Sequence, residues 1–284
     1  AVAFEAQRRI GGDAPRAPAA CRQPTKGNPL MTAWPHHLDR TITIGARRET
    51  VFSFFTSDER WASWWGRGSA IDPRPGGRML IRHPNGIEFS GEVVEVQAPD
   101  RLVFTYGAAH LPTLGPGSSR VTIRLESVAE GTRLSLRHED AEASDRDHHL
   151  QGWRYQLSVF ANVVSDLAHA GAADIVDRWF QAWAEGDAAV RAATFAAIAR
   201  PSVRFRDRYS LVDGLADLVP HVGATLQFMP GFRLERTGVV RHCQGTVLAD
   251  WTAKGPNGEA RGAGTNVFLF GPDDLIEAVT GLWT

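Results

Sequence analysis

The chain has 284 residues, a formal net charge of −1 and 43% hydrophobic residues, which suits two cores better than one. Its 31 basic and 32 acidic residues are interspersed, which excludes the basic field of a nucleic-acid binder and the cationic face of a membrane-surface protein. Cys21 and Cys243 stand in no disulfide-framework or metal-ligand spacing, so reduced thiols in a cytoplasmic protein are expected.

Residues 1–35 are dominated by alanine, proline, glycine and arginine without helical or strand period. They read as an unstructured leader, with Met31 as the expected natural start. No apolar run reaches the ~18 residues of a membrane helix, and the N-terminus lacks the basic-then-apolar order of a secretory signal. Leu38–Ile44 alternates as a strand does, and Arg48–Phe55 and Asp58–Trp65 follow as short helices, with Thr56-Ser57 able to cap the second. Runs bounded by turn residues then predict strands at Gly77–Arg82, Ile87–Val96, Arg101–Tyr106, Arg120–Val128 and Thr132–His138. Their short connections favour an antiparallel meander.

The stretch Ser144–Ala170 organises the rest. Leu150, Trp153, Leu157, Phe160, Val164 and Leu167 recur at alternating steps of three and four, the stripe of a helix roughly 40 Å long with one buried face. Ser144 with Asp147 forms an aspartate version of the capping box, and Gly171 supplies the stop. His138, Glu139 and Asp140 at a strand end point to alternating faces and read as a solvated turn. The adjacent pairs His36-His37 and His148-His149 send their imidazoles apart and make poor metal sites, so no metal and no cofactor are expected.

A new helical stripe of Ile175, Val176, Trp179, Phe180 and Trp183 covers Ala172–Glu185, and a second helix covers Ala188–Ala199. A short strand places Val203, Phe205 and Asp207 on one face. A third helix, Gly214–Gln227, contains Pro220 and Gly223 and is expected to kink or break. Strands are predicted at Phe232–Thr237, Val239–Cys243, Thr246–Lys254, Arg261–Phe270 and Leu275–Trp283. The predicted class is α+β in two domains, 36–170 and 172–284, after the leader.

The segments SDERWASWW (57–65), RPGG (74–77), GEVVEVQAPDRLVFTY (91–106), GTRLSLRHE (131–139) and QGW (151–153) resemble the START-like SRPBCC superfamily. More narrowly they are similar to the branch named after the activator of heat-shock protein 90 ATPase homologue. The resemblance implies a helix-grip fold around an apolar cavity, with Trp65, Phe104, Trp153 and Leu157 as its wall. Read from the residues alone, the tryptophans are open to two readings, packed core or cavity wall.

The segments VDRWFQAWAEGD (176–187), SVRFRD (202–207) and GTNVFLFGPDDLIEAVTGLW (264–283) resemble the nuclear transport factor two-like fold in its SnoaL-like branch, an α+β cone. Isomerases of that fold use an aspartate base, a tyrosine and a neutral aspartic acid. The resemblance puts Asp207 in the place of the base, Trp179 in that of the tyrosine and Asn266 in that of the acid, with Trp183 and the second carboxylate Asp250 beside the ligand. The residues themselves leave open that Asp207 is a turn residue and that Asn266 satisfies a buried backbone group.

Two functions compete. One is binding, with conversion by carbonyl-adjacent proton transfer, of a small apolar or aromatic molecule. The other is a non-catalytic, chaperone-associated interaction module. The expected partners are a small hydrophobic ligand and a second copy joined through the C-terminal sheet, with no nucleic acid and no membrane.

Overall fold

The computed structural model describes residues 34–111, 114–140 and 142–284. All of the expected leader except Trp34 and Pro35 lies outside the described residues. The Trp34 indole donates to the Ser118 carbonyl at 2.6 Å and lies under the Arg120 guanidinium.

The first half runs β1 (His36–Ile44), α1 (Arg48–Ser53), α2 (Asp58–Trp65), β2 (Ala70–Ile71), β3 (Arg78–Arg82), β4 (Glu88–Gln97), β5 (Arg101–Tyr106), β6 (Ser119–Val128), β7 (Gly131–Asp140) and α3 (Ala143–Ala168). Its seven strands form one antiparallel sheet in the order β1-β7-β6-β5-β4-β3-β2, the expected meander with β1 added at the β7 edge. Ser57 caps α2 by accepting from the Arg60 N–H. The indole of Trp61 donates to the Leu80 carbonyl at 3.0 Å and fastens α2 to β3.

Helix α3 lies across this sheet and buries Trp153, Leu157, Phe160 and Val164. Phe160 stacks on Phe55 at 5.3 Å and meets Trp64 at 4.7 Å, so α1 and α2 fill the space between helix and sheet with rings. The expected stripe stops one step early, because Leu167 is exposed. Both expected end signals are also corrected. The N-cap is Glu142 with no side-chain bond, and Ser144 lies inside the helix, its carbonyl engaged by His148. Gly171 does not end α3, which closes on His169; it is the N-cap of the next helix, with an ordinary φ of −85°.

The second half runs α4 (Ala172–Ala182), α5 (Ala188–Ile198), β8 (Ala199–Arg206), β9 (Leu211–Asp213), α6 (Leu215–Phe228), β10 (Arg233–Cys243), β11 (Thr246–Lys254), β12 (Ala260–Phe270) and β13 (Ile276–Trp283). The sheet order is β10-β11-β12-β13-β8-β9. It is not wholly antiparallel, since β13 pairs with β8 in parallel. The two strands expected before Cys243 are one strand, β10, whose register shifts between Thr237 and Arg241 around Gly238 at φ +67°. Helix α6 continues through Pro220 and does not break. Asp187 caps α5 through the N–H groups of Ala189 and Val190. Buried Arg191 donates to the Glu185 and Val219 carbonyls, so its charge rests on the carbonyl ends and turns of the helix layer. Trp179, Phe180, Phe195, Phe205 and Phe268 form the centre of this core.

The halves are tied at the end of α3. The His169 ring is buried, and its nitrogens face two acceptors, Asp274 Oδ1 at 3.0 Å and the Gly45 carbonyl at 3.1 Å. His242 reinforces the joint by meeting Asp166 on α3 at 3.0 Å. No single helix among the described residues is long and apolar enough to cross a membrane.

Two stability outcomes follow from this packing. Trp153→Ala is expected to cost about 3–5 kcal/mol in urea unfolding, the range for removing a large buried aromatic. His169→Ala removes the buried ring that bridges two partly buried acceptors, Asp274 and the Gly45 carbonyl, and is expected to cost about 1–3 kcal/mol, read as a lower midpoint of thermal unfolding.

Candidate functional site

In the C-terminal half, β8 ends at Arg206 and the chain turns at Asp207, whose backbone exchanges bonds with Ser210. The Asp207 carboxylate is half-buried and held from two sides. Oδ1 accepts from the Tyr209 backbone N–H at 2.8 Å, and Oδ2 accepts from the Trp283 indole at 3.1 Å. Asn266 is buried on the inward face of β12, where its Oδ1 accepts from the Trp251 indole at 2.9 Å. That bond fixes the amide orientation and leaves the NH₂ as the free donor.

Between the two stands Gly281, the register partner of Asn266 on β13. A Cβ at 281 would lie 3.1 Å from Asp207 Cβ and 3.2 Å from Asn266 Oδ1. The structure thus places the Asp207 side chain and the Asn266 amide oxygen on either side of residue 281, close enough that a side chain there would press on both. A cleft of about 380 Å³, lined by Arg206, Asp207, Arg208, Thr280, Gly281, Leu282 and Trp283, opens beside Asp207, and buried Asn266 lies behind its lining.

The other expected members do not join. Asp250 lies on the opposite face of the sheet from Asn266, paired with Thr265 across the strands and bonded to the Arg241 guanidinium at 3.1 Å. Strand alternation imposes this, because Asn266 pairs with Ala249 and the next residue points away. Trp179 and Trp183 are core rings against Phe205, at 5.9 and 5.1 Å, and neither lines the cleft. Trp251, Trp283 and Gly281 went unassigned in the sequence. The signal was present in the inward alternation Val279, Gly281, Trp283, which continues the face that carries Asn266.

In the N-terminal half, the expected wall residues Trp65, Phe104, Trp153 and Leu157 are all buried and packed against one another and their neighbours. The run His138-Glu139-Asp140 is not a solvated turn. Strand β7 extends through Asp140, so alternation sends Glu139 out to Arg120 and puts His138 and Asp140 together on the inward face, both with no exposed side-chain surface. His149 from α3 joins them, its Nδ1 2.8 Å from Asp140 Oδ1 and its ring stacked on that of His138 at 4.0 Å. The Trp153 indole donates to His138 Nδ1 at 2.9 Å, and Ser119 Oγ lies 2.8 Å from His138 Nε2.

One ligand atom from each of His138, Asp140 and His149 lies within 4.8 Å of the others, close enough to ask whether they hold a metal. The donor set does not fit. An indole only donates, so the His138 lone pair at Nδ1 is taken and the neutral ring carries its proton at Nε2, the atom that would have to ligate. The same tautomer rules out a serine nucleophile, because Nε2–H donates to Ser119 Oγ, which itself donates to the Tyr106 carbonyl at 2.8 Å. Burial, and next the neighbouring His149, hold His138 well below the usual histidine range. Burial, and next the Asp140 charge, push the Tyr106 phenol far up.

Residues 45–165 match the family model described as Activator of Hsp90 ATPase homolog 1-like protein. This stretch is an AHSA1-like domain. No curated protein matches the chain. Among solved structures, similar chains include a putative isomerase of the SnoaL-like family from Agrobacterium tumefaciens, 21% identical over 42% of this chain and 98% of that one, at a TM-score of 0.39. The Aha1 dimer from Colwellia psychrerythraea is 18% identical over 43% of this chain and 90% of that one, at 0.37. An AHSA1-like protein from Rhizobium etli is 27% identical over 45% and 81%, also at 0.37. Likenesses at these TM-scores carry no functional argument.

The AHSA1-like domain has a pH signature. A histidine whose folded pKa is depressed leaves the native state short of a proton that the unfolded chain binds, so its stability is fully present above about pH 6.5 and is lost on acidification through the unfolded value. The melting midpoint should therefore fall between pH 7 and pH 5, and His138→Asn, though less stable at pH 7, should show a shallower slope when circular dichroism melts are compared.

Proposed function

We propose that the chain binds a small, largely apolar carbonyl compound and that its C-terminal half moves a proton next to the carbonyl. The observation that carries this reading is the placement of the Asp207 side chain, which lines an open cleft, and of the buried Asn266 amide on either side of Gly281. Asp207 takes the proton from the carbon next to the carbonyl, and the electron pair moves onto the carbonyl oxygen. The Asn266 NH₂ donates to that oxygen, and the proton is returned at another carbon. Trp283 and Tyr209 orient the base, and no cofactor is needed for this step.

The C-terminal half is read as a nuclear transport factor two-like cone and the AHSA1-like domain as its apolar, helix-gripped companion, which supports binding of the same class of molecule. The protein is read as cytoplasmic. Leu248, Val267 and Leu269 on the outer face of the C-terminal sheet support pairing with a second copy, for which sedimentation is the direct measurement. A chaperone-associated role is the second reading, favoured by the family match of residues 45–165, and co-purification of a chaperone would support it.

The test begins with thermal-shift screening of aromatic, steroid and polyketide-like carbonyl compounds. Asp207→Asn keeps the shape and removes the base, so turnover of the compound found is expected to fall by about 10²–10⁴ with its binding largely intact. Normal turnover in that variant would make Asp207 a turn residue and end the proposal.

A further inference from the structure

Arg208 stands at the rim of the Asp207 cleft with its guanidinium over the Tyr209 ring, 5.4 Å from the centroid. The Tyr209 ring meets Trp283 edge-on at 5.4 Å, and the Trp283 indole holds Asp207. Trp283 also meets Trp251 at 4.8 Å, and Trp251 holds Asn266. One continuous wall of rings therefore runs from a surface cation to the carboxylate and on to the buried amide.

The two arginines of the cleft differ. Arg206 donates to the Phe205 and Val212 carbonyls and to Asp213 at 2.8 Å, so its charge is engaged. Among the described residues no carboxylate pairs with Arg208, which is exposed and kept over Tyr209 by the attraction of a cation for a ring face. The rest of the rim is a threonine hydroxyl, Thr280, and the apolar surface of Leu282 and Trp283.

We propose that Arg208 receives an anionic group, so that the ligand of this cleft is a ring compound bearing a carboxylate. This deepens the carbonyl-compound reading and rests on it for the reaction, though not for the binding. The charge logic is local. An anion entering beside Asp207 would be repelled, and Arg208, the next residue in the chain, is the cation that offsets this. A guanidinium presents parallel N–H donors that match the two oxygens of a carboxylate. The flat ring of the ligand would lie along Trp283, with Tyr209 fixing the cation at one end and Gly281 leaving room at the other.

The probes are benzoate and benzamide, which share ring and outline and differ in charge. Binding to the full chain is followed by the ¹H–¹⁵N signal of the Trp283 indole, identified with Trp283→Phe. At low ionic strength benzoate is expected to shift this signal and to bind about three- to fivefold more tightly than benzamide, the upper end of what one exposed ion pair gives. The preference should vanish in Arg208→Gln and fade towards about 1 M salt, where the screening length is ~3 Å. Equal binding of the two probes, a preference that survives Arg208→Gln, or no shift of the Trp283 signal with either probe would overturn the proposal. Turnover by Asp207→Asn is a separate outcome: it removes the proton-transfer reading and leaves the benzoate preference standing.

Discussion

Helix α3 has to serve two cores with one face, and this constraint shapes the molecule. Over most of its length it buries Trp153, Leu157, Phe160 and Val164 against the N-terminal sheet. Its last turn reaches the other half instead, which is why Leu167 is exposed where the stripe would bury it. Asp166 meets His242, and His169 is inserted between the Gly45 carbonyl and Asp274. The Asp166 contact is half-exposed and is worth little alone. His169 is different, because its ring is buried and meets a partly buried acceptor on each half, so losing it loosens both contacts at once.

The periodic elements were legible in the sequence. Helix α2 and strands β5 and β11 occupy the residues expected, since a stripe or an alternation bounded by turn chemistry depends on the local chain alone. What the sequence did not disclose depends on distant partners. The short strand β9 has three residues, too few for a period, and exists through pairing with β8. The capping box at Ser144 was a matching pattern, but the helix begins earlier, at Ala143 with Glu142 as cap, so the pattern fell inside the first turn.

The two polar groupings show the same division. Asp207 and Asn266 came from a family resemblance, and the structure supplies what the resemblance lacked: the glycine between them and the indoles that hold them. The His138–Asp140 pair faces inward, against the expectation of a solvated turn, although strand alternation is obeyed. Alternation does separate His138 from Glu139, but it joins His138 to Asp140, and the third member comes from α3. Whether a short polar run at a strand end faces in or out is decided by how far pairing with β1 continues, here through His36 and Asp140, and no local signal reports that.

Access separates the chemistry the two groupings can support. Asp140 has no exposed surface, so nothing the size of water reaches it without the AHSA1-like domain opening, and among the described residues its Oδ2 has no partner. Its bond with His149 holds α3 to β7 and specifies which faces meet, a structural use of buried polarity. Asp207 is the reverse: each oxygen accepts one donor and retains a second lone pair, and the carboxylate borders an open cleft. The base we propose must be held still and remain reachable. Trp283 and the Tyr209 N–H hold the Asp207 carboxylate and the cleft leaves it open, while a Cβ at residue 281 would press on both Asp207 Cβ at 3.1 Å and Asn266 Oδ1 at 3.2 Å, so the glycine keeps the two side chains uncrowded.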